Sequence, residues 1–159
     1  MYIGKVNHNI NVADEYKRLA EKDEGVAILL KSNKEYRHSI YFFVQAMEKY
    51  IRSKIFTLVN PNLDYFRKKN QNHSLSNAIE FLIEIISSDS TVQNQIKKQL
   101  NEYVFENINF QQLHNNLRYP FYSLKFNSYS SIEFTLNDCE IIQKKLYDLK
   151  NYLEQLNRL

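Results

Sequence analysis

Glycine and proline are almost absent from this chain. Two of each occur in 159 residues, and no glycine follows Gly25. Two-residue hairpins need residues at positive φ, usually Asn-Gly, Asp-Gly or another glycine pair. Neither Asn-Gly nor Asp-Gly occurs here. A sandwich of many tight hairpins is therefore disfavoured, as is a doubly wound α/β fold. Walker loops, dinucleotide fingerprints, nucleophile elbows and EF-hands all need glycine for a sharp turn or close backbone approach. The sequence has no place for them. An all-α antiparallel bundle of five to six helices is the expectation, in one domain spanning residues 1–159.

Helical periodicity supports that class. Asn11 is a plausible cap for a helix over 12–31, with Tyr16, Leu19, Val26 and Leu30 as its apolar stripe. The strongest pattern follows at about 33–58. Tyr36, Ile40, Phe43, Met47, Tyr50 and Ile51 recur at helical spacing, and Ser32 with Glu35 has the spacing of a capping box. Pro61 ends this segment, and 59–73 reads as a polar loop. A third helix is expected from Ser74 or Leu75 to Ile86, and a fourth over 90–104. A short one covers 110–117. Residues 121–136 read as extended. The last helix spans 138–158, with Asn137 and Glu140 at capping-box spacing and a seam of Ile141, Leu146 (or Ile142), Leu149, Leu153 and Leu156. Twenty-two Tyr and Phe supply apolar bulk in a chain without Trp, so the stripes read as core or dimer interface.

Charge is uneven along the chain. Residues 31–73 hold nine Lys and Arg against three acids, whereas 74–116 hold two against five. The first segment is either a phosphate-facing surface or a solvated helix face with a basic loop. A single Cys139 cannot make an internal disulfide and excludes multi-cysteine metal sites, which fits a reducing, cytoplasmic setting. No apolar run is long enough to span a membrane, and the N-terminus lacks the apolar stretch of a signal peptide. No metal or cofactor is expected.

Few residues can carry chemistry. No His-x-x-x-His pattern occurs. Cys139 sits near a helix N-terminus, where the dipole lowers a thiol pKa, but no histidine lies near it in sequence. His8 and His38 offer no partner set. An imidazole paired with a guanidinium can run phosphodiester chemistry: the ring takes a proton and the cation stabilises the phosphorane. Two pairs have suitable spacing. Arg67 and His73 flank five residues, and His114 and Arg118 are one helical turn apart.

Three segments, in order, resemble the HEPN family of helical domains. EYRHSIYFFVQAMEKYIRSKIF (35–56) is similar to that family's second helix, with Gln45, Ala46, Glu48 and Lys49 matching its Gln-Ala-x-Glu-Lys core. NHSLSNAIEFL (72–82) is similar to the His-x-Leu start of the third helix. LRYPFY (117–122) is similar to the Arg-Tyr-Pro before the last helix. The resemblance implies a nucleotide- or RNA-binding module, a homodimer, working with a nucleotidyltransferase or antitoxin partner in a toxin–antitoxin or phage-defence system. RNase members carry a histidine four to six residues after the motif arginine. Here Arg118 is followed by Tyr119 and Pro120, and positions 123 to 125 are Ser, Leu and Lys. The resemblance then implies ligand binding by Arg118, Tyr119, His114, His73, Glu48 and Lys49. Three alternatives stay open. Arg118 can bind a ligand, or make a buried salt bridge to Glu48. RNA cleavage can use His73, His114 or Arg67. Aromatic helix faces can also serve a purely structural dimerisation scaffold.

Overall fold

A computed structural model describes residues 3–156. The chain is an all-α helical bundle. Its elements are α1 (Val12–Ser32), α2 (Tyr36–Leu58), α3 (Asp64–Lys69), α4 (Leu75–Ile86), α5 (Ser90–Lys98), α6 (Phe110–Arg118) and α7 (Leu136–Gln155). A short hairpin of β1 (Phe121–Ser123) and β2 (Ser128–Ser130) precedes α7.

The bundle is built on an antiparallel pair, α1 and α2. Asn11 caps α1 as expected, its Oδ1 accepting from the Asp14 amide at 3.1 Å. The centre of the α1 seam is not the expected stripe of larger side chains. Ala13, Ala20 and Ala27 are buried there at heptad spacing, while Val26 lies on the exposed side. Ser39, Ala46 and Ser53 repeat the same spacing on α2 and are also buried. Ser53 Oγ donates to the Ala13 carbonyl at 2.8 Å, and Ser39 Oγ donates to the Ala27 carbonyl at 2.7 Å. Small residues let the two backbones approach closely enough for those bonds. The heptad period keeps both small stripes on one seam.

The expected Ser32–Glu35 cap does not form. Helix α1 continues through Ser32, whose Oγ bonds back to the Ile28 carbonyl at 3.1 Å. The chain reverses at Lys34, at φ 62°, and α2 starts at Tyr36 without a side-chain cap. From Ile40 onward α2 is enclosed, with Phe43, Met47, Ile51 and Ile55 fully buried. It packs against α1, α4, α6 and α7.

The expected loop 59–73 contains a helix. Asp64 at the start of α3 pairs with Arg67 and Lys68, three and four residues on, and Phe66 stacks on Phe81 of α4 at 6.2 Å. A six-residue helix held by local ion pairs is too short to leave a periodic signal. Helix α4 starts at the expected point, where Ser74 Oγ accepts from the Asn77 amide at 3.1 Å. Helix α5 passes into a π-helical turn over Gln99–Val104. Glu106 and Asn107, at φ 47° and 59°, then turn the chain into α6.

Strands β1 and β2 are antiparallel, with Tyr122 opposite Tyr129. Residues 124–127 form their loop, and Asn127 takes the left-handed conformation that glycine usually supplies, at φ 49°. Thr135 and Asp138 make the reciprocal capping box of α7, two residues before the expected Asn137–Glu140 pair. Ile142, Leu146, Leu149 and Leu153 face the core, whereas the expected Ile141 is exposed. Among the described residues, no helix is long and apolar enough to cross a membrane.

Candidate functional site

Helix α2, the start of α4 and helix α6 enclose a polar cavity of about 330 Å³. Gln45 and Glu48 line it from α2. Asn72 and His73 come from the segment before α4, Asn77 from its first turn, and Gln111 and His114 from α6. The floor is held by a buried ion pair one helical turn long. Arg52 Nε donates to Glu48 Oε1 at 2.9 Å, and both side chains are almost fully buried. Arg52 also donates to Asn70 Oδ1 at 2.7 Å and to the Asn72 carbonyl at 2.6 Å. Asn70 in turn donates to the Tyr16 hydroxyl at 2.8 Å. A buried guanidinium must satisfy its donors on the protein. Arg52 does so by pinning residues 70–72 to α2. That leaves His73 at the mouth, exposed, with Nδ1 3.4 Å from Glu48 Oε1.

His114 forms the opposite wall. Its ring stacks on Tyr41 at 6.0 Å between centroids, and its Nε2 lies 3.0 Å from Arg118 Nη1. Arginine has only donors, so Nε2 must accept, which places the proton of the neutral ring on Nδ1. Burial, reinforced by the Arg118 charge and opposed by Glu48, holds the His114 pKa below its ordinary value. The ring is thus neutral near pH 7 and offers an N–H for a ligand oxygen.

Arg118 lies outside the cavity, on the far side of His114. Its Nη2 donates to the Tyr119 hydroxyl at 2.8 Å, and its guanidinium carbon sits 4.9 Å from that ring's centroid. With Arg37, His38 and Tyr41 these residues line a second, shallower cleft. Arg37 fixes this end of α6. It donates to the Asn116 carbonyl at 2.7 Å, to the Leu117 carbonyl at 3.0 Å and to the Ile132 carbonyl. The first two bonds use orphan carbonyls at the α6 C-terminus, and the third ties in the segment after β2.

Several expectations change against this geometry. The Arg118–Glu48 salt bridge is not formed, because Glu48 takes Arg52 on its own helix while α6 carries Arg118 beyond His114. Lys49 points away from the cavity and pairs with Asp23 of α1. One residue beyond Glu48 is a rotation of about 100° around the helix. Arg67 does not line the cavity. It is exposed on α3 and bonds Asp64, so it is not joined with His73. Cys139 is fully buried, 3.0 Å from the Ser39 hydroxyl, and burial pushes its thiol pKa up rather than down. Arg52, Arg37 and Tyr41 organise the site and were not singled out by the sequence reading. The one available signal is the i, i+4 spacing of Glu48 and Arg52 on the second helix.

A larger recess of about 450 Å³ lies between α1, α2 and α7. There Glu24 accepts from the Tyr50 hydroxyl at 2.7 Å and from Lys150 Nζ at 3.0 Å. That carboxylate is engaged within the fold, and none of the expected catalytic or ligand-binding residues lines the recess. Among the described residues, no three His, Cys, Asp or Glu side chains are grouped closely enough to hold a metal ion. No family model matches the chain, and no curated protein or solved structure matches it either.

Proposed function

We propose that this chain is a HEPN-like module that binds a nucleotide or RNA in the cavity between α2, α4 and α6. One observation carries the reading. The segments that resemble that family are far apart in sequence yet adjoin one cavity. Gln45 and Glu48 come from the first, His73 and Asn77 from the second, and Arg118 of the third bonds the His114 wall. Amide side chains and imidazole N–H groups suit base edges and sugar hydroxyls. Arg118, whose hydrogen-bond partners are neutral, suits a phosphate at the rim. The module acts as a homodimer with a protein partner in a toxin–antitoxin or phage-defence system.

Titration with ATP and with a short RNA tests the proposal. Binding that weakens in both His114→Ala and Arg118→Ala supports it. Absence of binding at low salt overturns it.

A second reading, RNA cleavage by histidine and arginine, is favoured by the state of His114. A ring neutral near pH 7 becomes a general base when a substrate phosphate draws Arg118 off its Nε2 lone pair, and Arg118 on that phosphate can stabilise phosphorane charge. Incubation of RNA with the protein in EDTA tests it. Cleavage that survives both His114→Ala and His73→Ala removes this site as the cause.

A further inference from the structure

The hairpin after Arg118 exposes a set of large aromatic and aliphatic side chains. Tyr129 is 75% exposed, Phe126 69% and Leu124 89%, and Tyr119, Phe121 and Tyr122 are also on the surface. Scattered exposed rings are ordinary, whereas exposed rings gathered on one hairpin mark a recognition surface. The register puts Tyr122 directly opposite Tyr129, so both rings stand on one face, 5.4 Å apart edge to face. The Tyr122 hydroxyl bonds Asn127 at 2.5 Å and so is tied to the turn. Cations accompany the rings. Lys125 Nζ lies 5.2 Å from the Phe126 centroid, and Arg118 flanks Tyr119 at the other end. No acidic residue occurs between Glu106 and Glu133.

We propose that this hairpin is a stacking platform for single-stranded RNA, continuing the cavity outward past Arg118. It rests on the reading above and names the ligand class of that site. Unpaired bases stack on exposed aromatic rings while lysine and arginine follow the backbone. The acid-free charge decides between this occupant and a second copy of the chain. A two-fold contact would set the same cationic face against itself.

The test is binding of a labelled single-stranded RNA of about ten nucleotides, beside its duplex form, whose paired bases cannot splay onto rings. ATP binding is measured in parallel. The expected result is a preference for the single strand. Tyr122→Leu with Tyr129→Leu should weaken it about tenfold and leave ATP binding unchanged. These leucines keep an apolar cross-strand contact. Phe126→Ser with Lys125→Gln changes only the exposed turn, and should weaken RNA binding and reduce the salt slope by about one. Unchanged RNA affinity in both double variants overturns the platform. Loss of a dimer in sedimentation, with RNA affinity unchanged, makes the face a contact between copies and overturns it as well. If the wild type binds ATP but no RNA, only the platform fails. If it binds neither, the cavity reading fails with it.

Discussion

Two arginines bracket the cavity, each one helical turn after its partner, and their surroundings separate architecture from recognition. At the floor, Arg52 pairs with the Glu48 carboxylate, is buried, and spends its remaining donors on Asn70 and Asn72. At the rim, Arg118 meets a neutral imidazole and a phenol, and is exposed. The floor cation is neutralised and immobile. The rim cation keeps its charge for whatever arrives. Identical i, i+4 spacing thus gives opposite roles, and burial with the sign of the partner decides which.

That contrast can be broken by substitution. Arg52→Ala should cost the most, about 3–5 kcal/mol in urea denaturation, because it strands the Glu48 carboxylate in a buried site. A loss below about 1 kcal/mol would mean that Glu48 is not held there. Arg37→Ala removes three bonds to backbone carbonyls and should cost about 1.5–3 kcal/mol, with raised hydrogen exchange confined to the end of α6 and residues 130–134. Arg118→Ala should leave stability within about 0.5 kcal/mol and weaken nucleotide binding about tenfold. An equal loss of stability at Arg118 and Arg52 would erase the distinction.

The smallest effect is pH dependence at the rim. The folded state holds the His114 pKa below its ordinary 6.5. Above that value the ring is neutral in both states and adds no slope. As pH falls below it, the unfolded chain takes up the proton first, so stability declines until the folded ring protonates as well. His114→Gln should flatten this part of the profile, on the acid side of pH 6.5. An unchanged profile would assign the slope to other groups.

Much of the bundle was legible from periodicity and caps. Asn11 and Ser74 start their helices as read, and the α2 stripe is buried because no competing pattern obscures it. The rest was hidden for identifiable reasons. The α1–α2 seam is made of Ala and Ser, which carry little hydropathy signal, so larger residues nearby were favoured. Thr135–Asp138 and Asn137–Glu140 have the same capping-box spacing, so spacing alone does not choose between them. The site was half visible. His73, His114 and Glu48 do adjoin one cavity, and His114 does meet Arg118. The Arg118–Glu48 alternative fails because a sequence offers every arginine as a partner, and only packing shows that Arg52 reaches Glu48 first. Arg67 and His73 matched by spacing alone, and their separate partners show how little a spacing fixes without a shared face.

The central claim is that His73 and His114 share a ligand cavity with Arg118 at its rim. Imidazole resonances followed by NMR during titration with ATP and a short RNA test it most directly. His73 and His114 should shift together and saturate at one ligand concentration, while His8, exposed near the N-terminus, stays in place. Arg118→Ala should move that saturation to higher ligand. If His73 and His114 remain still while ligand binds, or shift no more than His8, the cavity is not the binding site.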